Sequence, residues 1–229
     1  MTTFLLLPGA GGEALYWSPV ADLLRAAGHE VVAMDLPADD PTAGLTAYTE
    51  LAVAAVAAVA GRRDVVLAAH SMGGFTAPMV AARIPVRAIV LVNAMIPLPG
   101  ESASTWGDAV GSEPARLAAA SAGGYAADVD LVDTFLHDVP AEVLDPAVVA
   151  NGRDEAEIAF TEPCAFDRWP DGGIRVLVGR DDRLFPRDLQ IRVARERLGV
   201  EAHVLPGGHL LPVANPQAVT AHLLAVAAG

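Results

Sequence analysis

The sequence predicts an α/β domain: a doubly wound, mostly parallel six-stranded sheet with a helical insertion. Three observations predict it. Short, continuous apolar runs recur along the chain, stretches of helical period separate them, and the alternation stops between 97 and 170, where no strand-like run occurs. Continuous apolar runs fit parallel strands that are covered on both faces. Their alternation with helices fits an open doubly wound sheet. With 229 residues, 53% of them hydrophobic, the chain is long enough to bury one large core. The expected division is a core of 1–96 and 171–229, with a lid at 97–170. Long insertions in compact domains usually carry function.

The elements follow in order. Phe4–Leu7 reads as the first strand. Ser18-Pro19 reads as an N-cap and first helical residue. Val20, Leu23, Leu24 and Ala27 then recur at helical spacing, and Gly28 lies just past the helix end. Val31–Met34 is the second strand, and Tyr48, Leu51, Ala55 and Val59 form the stripe of the next helix. Val65–Ala69 and Ala88–Val92 are the third and fourth strands, with a helix from near Gly73 between them. Ile174–Val178 and Ala202–Leu205 are the fifth and sixth, separated by a helix through Leu189 to Leu198. Asn215-Pro216 opens the last helix.

Charge and composition exclude several function classes. A net charge of −13, with no basic stripe, repels nucleic acid. All 15 basic residues are arginine, so mechanisms that need an ammonium side chain are absent, including Schiff bases and the lysine of a Walker A loop. The single Cys164 allows no internal disulfide and suggests no metal cluster. Phe4–Leu7 is too short for a signal-peptide core, and the Ala-rich segment from Leu51 to Ala60 is too short to span a bilayer. A soluble, cytoplasmic protein with no membrane partner is expected.

The opening glycines pose a choice. Gly9 to Ala14, GAGGEA, fits the dinucleotide pattern G-x-G-x-x-G/A, and Asp35 sits where a ribose-binding carboxylate would lie. That reading needs a helix beginning inside the glycines. Such a helix would carry Pro19 in its interior, at a cost of about 3 kcal/mol. A helix starting at Ser18-Pro19 avoids this and leaves Gly9 to Trp17 as a loop. Asp35 then reads as an ordinary strand-end carboxylate.

The stronger signal is VVLAAHSMGG, Val65 to Gly74. A buried strand runs into a tight turn and then a helix, the nucleophile-elbow pattern G-x-S-x-G with Ala69 in the first glycine position. The turn demands small flanking residues, and Ala69, Gly73 and Gly74 supply them. Ser71 is therefore the candidate nucleophile. Two later segments complete the pattern: GRDDRLFP, Gly179 to Pro186, after the fifth strand, and PGGHLLP, Pro206 to Pro212, after the sixth. Serine is a poor nucleophile at neutral pH. An imidazole must take its proton, and a carboxylate must orient the imidazole. All the candidates lie just past the carboxyl ends of strands, where open α/β sheets build their sites.

His209, in a glycine-flanked loop, is the candidate base. His29, His203 and His222 lie in or beside regular elements, and His70 points away on the tight turn. Asp182 is the preferred carboxylate because it stands four residues before Pro186 in a D-x-x-x-P turn; Asp181 is the alternative. Asn93 cannot replace either as a charged partner. Acyl transfer also needs two N–H donors for the developing oxyanion. One is the amide after the nucleophile, at Met72; the other should come from the loop after the first strand. Ala10 is the candidate there, with Gly9 allowing close approach. A strand order of 2-1-3-4-5-6 would set that loop beside Ser71.

On these motifs the chain resembles the α/β-hydrolase superfamily. The resemblance is greatest to the small branch of plant methylesterases, hydroxynitrile lyases and their bacterial relatives. It runs through LLLPGAGGEALYWSPVADLLRAAGHEVVAMDLP, AHSMGG, LVNAMIPLPGES, FLHDVP, FTEP, GRDDRLFPRDLQ and GGHLLPVANPQAV. The chain departs from the pattern at Pro8, where many members have His, and at Ala69. The resemblance implies an α/β-hydrolase fold with a helical lid and hydrolysis of small carboxylic esters without a cofactor. Thioester or lactone hydrolysis would use the same groups. A hydroxynitrile-lyase activity lacks the lysine that family uses, a binding protein would not need the intact triad, and a nicotinamide oxidoreductase rests on the opening loop alone. Phe75, Trp106, Phe135, His137, Phe166 and Trp169 are candidates for the substrate pocket. The expected partner is a small, hydrophobic ester, with a homodimer left open.

Overall fold

The computed structural model describes residues 1–59 and 64–229; Ala60, the last residue of the Ala-rich segment, falls outside them. Six strands form one sheet: β1 (Thr3–Leu7), β2 (Glu30–Ala33), β3 (Val65–His70), β4 (Ala88–Val92), β5 (Ile174–Gly179) and β6 (Ala202–Leu205). Their order is β2-β1-β3-β4-β5-β6, and every pairing is parallel. Leu7 pairs with Ala69 and His70 with Val92, so the loops that leave β1, β3 and β4 emerge side by side.

Both faces of the sheet are covered, which is why its strands read as unbroken apolar runs. Leu5, Leu7, Leu67 and Ala69 pack on one face against α2 (Leu45–Ala58), α3 (Gly73–Ala81) and α8 (Arg187–Leu198). Phe4, Leu6, Val66 and Ala68 pack on the other against α1 (Ser18–Ala26), α9 (Leu211–Ala214) and α10 (Pro216–Ala228). Each fully buried Leu or Phe on these faces contributes about 1.5–3 kcal/mol of apolar burial.

Two helices differ from the sequence expectation. Ser18 is the first residue of α1 rather than its cap, because a short 3₁₀ turn, Ala14–Trp17, already leads the chain into it. In α2 the buried stripe is Leu45, Tyr48, Ala52 and Val56, and Leu51 faces solvent. That helix is apolar nearly all round, so its period marks no unique face.

Between β4 and β5 the described residues hold no strand. The segment carries α4 (Ala103–Val110), α5 (Ser112–Gly123), a π-helical turn (Leu131–Leu136), α6 (Pro146–Ala150) and α7 (Glu157–Thr161). Trp106, Ala159, Cys164 and Phe166 from this stretch pack into the main core. Leu136, Val139 and Leu144 form a smaller cluster with Leu210 and Val213. The insertion thus rests on the carboxyl rim of the sheet. No helix among the described residues is long and apolar enough to cross a membrane.

Candidate active site

β3 ends by driving the chain through a strained turn. Ser71 adopts φ 50, a left-handed conformation that is rare for residues other than glycine. The turn is closed by Gly74 N–H donating to the Ser71 carbonyl at 3.1 Å, and α3 starts at once. There is no room for larger residues here: a Cβ on Gly73 would strike the Pro8 carbonyl oxygen, and one on Gly74 that of Met95. Glycine at 73 and 74 is therefore a steric requirement.

His209 and Asp182 meet Ser71 at this point. His209 Nε2 lies 3.0 Å from Ser71 Oγ, and its Nδ1 lies 2.9 Å from Asp182 Oδ2. All three residues are buried, with His209 1% and Asp182 4% exposed. The Asp182 carboxylate is fully engaged. Oδ1 accepts from the Leu184 and Phe185 amides, each at 2.9 Å, and Oδ2 accepts from Gln190 Nε2 at 3.0 Å beside His209. Asp181 points elsewhere and pairs with Arg180 at the surface, where that hydrogen-bonded guanidinium holds its carboxyl below the usual range.

The His209 loop is fixed from three sides. Asn93 Nδ2 donates to the Gly208 and His209 carbonyls, both at 2.8 Å, and Asn93 Oδ1 accepts from Gly179 N–H at 2.6 Å. Asn93 has φ 45, which asparagine tolerates better than most residues. Asp138, from the insertion, accepts the Gly208 amide. His70 Nε2 meets the His209 carbonyl oxygen at 2.9 Å, so that nitrogen carries the hydrogen. Burial, with His209 close by, pulls the His70 imidazole down to about 3, and it stays neutral at neutral pH. Three other histidines lie away from the site: His29 accepts from the Thr2 amide, and His203 packs on His222.

The opening loop lies against Ser71. A Cβ on Gly9 would come 2.9 Å from Ser71 Cβ and 3.4 Å from Ser71 Oγ. Among the described residues, the Ala10 and Met72 amides donate to no protein group. Asp35 accepts from the Ala14 amide and from Arg153, which fits an ordinary strand-end carboxylate.

A cavity of about 610 Å³ opens above Ser71, walled by Leu131, Phe135, Val149, Phe160, Leu184 and Leu210, with Glu155 at one side. The aromatic expectations need correction here. Phe135 lines the cavity and meets the His209 ring edge-on at 5.5 Å, but Phe75, Trp106, His137, Phe166 and Trp169 do not line it. Phe75 is turned into the core beneath α3. The indole N–H groups of Trp106 and Trp169 donate to the Ile96 and Pro97 carbonyls. Phe166 packs on Trp169. His137 lies in a separate groove with Asp138 and Asp181. Aromatic content marked the insertion as buried, but not which face of it meets the cavity.

Sequence reasoning also missed Gln190, Asp138, Tyr48 and Glu155. A polar residue one turn into α8 was the only hint of Gln190. Asp138 and Glu155 act across separations of 70 and 144 residues, which no local pattern marks.

The sequence profile of the alpha/beta hydrolase family matches residues 4–222. The chain belongs to the alpha/beta hydrolase family. This alpha/beta hydrolase family member is 35% identical over 107 residues to a probable esterase, PIR7A, of Oryza sativa, covering 43% of this chain and 41% of that protein. It is 32% identical over 111 residues to methyl jasmonate esterase 1 of Vitis vinifera, covering 44% and 42%. The matched stretch thus spans about two-fifths of those curated relatives. Its fold is that of polyneuridine aldehyde esterase (TM-score 0.78, 19% identity, 98% of both chains). It also matches a pyrethroid hydrolase from Sphingobium faniae JZ-2 (TM-score 0.76, 21% identity, 100% and 98% of the chains).

Proposed function

We propose that the protein is a serine esterase that cleaves a small, neutral, hydrophobic carboxylic ester. One observation carries the reading: the unbroken line from Asp182 through His209 to Ser71, with steps of 2.9 and 3.0 Å, at the floor of a largely apolar cavity. Ser71 Oγ attacks the ester carbonyl carbon as its proton passes to His209 Nε2. The Ala10 and Met72 amides receive the oxyanion. His209 returns the proton to the leaving alkoxide, which departs as the alcohol. Water then attacks the acyl-enzyme, His209 takes the water's proton, and collapse of the second tetrahedral intermediate frees the acid as Ser71 Oγ regains that proton. Asp182 holds Nδ1–H toward itself throughout and stabilises the imidazolium. Thioesters and lactones would pass through the same steps.

The esterase names of the sequence relatives support this reading. The insertion at 97–170 serves as the lid, since it supplies Leu131, Phe135, Val149 and Phe160 to the cavity wall. A cytoplasmic site of action belongs to the same proposal. The carboxylates of Asp154 and Glu155 at the cavity outnumber the one guanidinium there, Arg153, and in a chain of net charge −13 they disfavour anionic substrates. Steady-state assays should therefore show turnover of p-nitrophenyl acetate and butyrate, with kcat/KM at least about tenfold lower for a p-nitrophenyl hemisuccinate. Absence of turnover of every neutral ester, or a preference for the anionic chain, would contradict the proposal.

A further inference from the structure

The turn after β1 contains a feature that the steps above do not use. Gly12 N–H donates to the Gly9 carbonyl at 3.1 Å, closing a four-residue turn around Ala10 and Gly11. Gly11, the third residue, has φ +85. That is the type II pattern, which requires a positive φ at the third position. Types I and II differ by a flip of the middle peptide, here Ala10–Gly11, which exchanges the sides of the Ala10 carbonyl and the Gly11 N–H. With glycine at 9, 11 and 12, the backbone itself resists such a flip weakly. An oxyanion donor, by contrast, must be held within about 0.5 Å and 10–20° of its working geometry.

An external tie is present. Glu155 Oε2 accepts the Gly11 N–H at 2.8 Å. Its other oxygen, Oε1, accepts the hydroxyl of Tyr48, a buried residue of α2, at 2.5 Å. In the flipped turn the Ala10 carbonyl would face the carboxylate, acceptor against acceptor. Two residues earlier, Arg153 donates to the Leu36 carbonyl at 2.9 Å and to the Gly12 carbonyl at 3.2 Å. The segment lies directly on the turn: a Cβ on Gly11 would come 2.9 Å from the Arg153 carbonyl oxygen. Burial raises the Glu155 carboxyl, opposed by its Tyr48 and Gly11 hydrogen bonds and by Arg153. A half-buried carboxylate beside an apolar cavity is costly to hold and is not needed to fill space.

We propose that Glu155, carried by the insertion, is a positioning residue: by holding the Gly11 N–H it fixes the Ala10–Gly11 peptide, and through the shared Ala10 Cα it steadies the adjoining Gly9–Ala10 peptide, whose N–H is the oxyanion donor. The proposal rests on the esterase reading. Its test compares Glu155→Ala, Glu155→Gln and Tyr48→Phe with the wild type on p-nitrophenyl butyrate. Inhibition by an alkyl trifluoromethyl ketone, which forms a tetrahedral adduct, is measured alongside.

Glu155→Ala should lower kcat by about 10–100-fold, part of the loss expected for a whole oxyanion donor. KM should change by less than about threefold, and ketone inhibition should weaken by about the same factor as kcat/KM. Glu155→Gln keeps an acceptor for Gly11 and should stay within about threefold of the wild type. Tyr48→Phe should shift kcat and ketone affinity together, by about 3–10-fold. Glu155→Met fills the same space without an acceptor and replaces the alanine variant should that one unfold. A folded Ala or Met variant with wild-type kcat, a kcat loss that the ketone does not share, or a Gln variant as impaired as Ala would each overturn the proposal. Ser71→Ala, run in parallel, separates the two levels: turnover that survives in it overturns the esterase reading itself.

Discussion

Replacing His209 by alanine should lower kcat by about 10⁶-fold, the scale seen when a serine hydrolase loses its base. His209 Nε2 is the atom 3.0 Å from Ser71 Oγ, and the described residues offer no substitute. His70 is the neighbouring imidazole, but its Nε2–H is committed to the His209 carbonyl. Burial also pulls it down to about 3, too weak a base to take a serine proton efficiently near neutral pH. The fold should survive, since the sheet and its two apolar faces do not depend on this ring. Removing it leaves one oxygen of Asp182 with a single donor, Gln190, which costs about 1–3 kcal/mol. Single-turnover kinetics, with circular dichroism as the check on folding, measures both. A folded variant within tenfold of the wild-type rate would remove His209 from the proton path.

The second large effect is expected at Asp182. Asp182→Asn should lower kcat by about 10⁴-fold with little change in KM. The surroundings dictate how the amide would sit. The Leu184 and Phe185 amides, both at 2.9 Å, claim the oxygen at the Oδ1 position. The new NH₂ group then takes the Oδ2 position and faces His209 Nδ1, donor against donor. The imidazole escapes only by moving its hydrogen to Nε2, which turns an N–H toward Ser71 and removes the acceptor that catalysis needs. Asp181→Asn is the matched control. Asp181 is a surface partner of Arg180, and its loss should leave kcat within about threefold. Equal losses in the two variants would contradict the assignment of Asp182.

How much of this could be read from the sequence depended on whether the causes were local. β1 and β3 were legible because both of their faces are buried, so every residue from Phe4 to Leu7 and from Val65 to Ala69 had to be apolar. The residues of the elbow were legible because a left-handed Ser71 pressed between two backbones admits only small neighbours. The distant partners His209 and Asp182 were found because each sits in a turn at the end of a strand. The stripe of α2 was not legible, since alanine covers all sides of that helix and burial there is decided by the sheet it meets. The cavity wall was not legible for a related reason: which aromatic in the insertion faces Ser71 depends on how short helices pack over the rim. Asn93 and Glu155 act through hydrogen bonds to residues far along the chain, and Gln190 through one to Asp182 across a turn, and nothing in their immediate neighbours announces it.

The most direct measurement concerns the Ser71 oxygen itself. A fluorophosphonate reacts with a serine hydroxyl only where a base activates it and donors hold the phosphoryl oxygen. Intact-protein mass spectrometry followed by peptide mapping should find one adduct, on Ser71. That adduct should be absent from Ser71→Ala and form at least about 10³-fold more slowly in His209→Ala. An adduct on another residue, or labelling that persists in Ser71→Ala, would contradict the role given to the 71–209–182 arrangement.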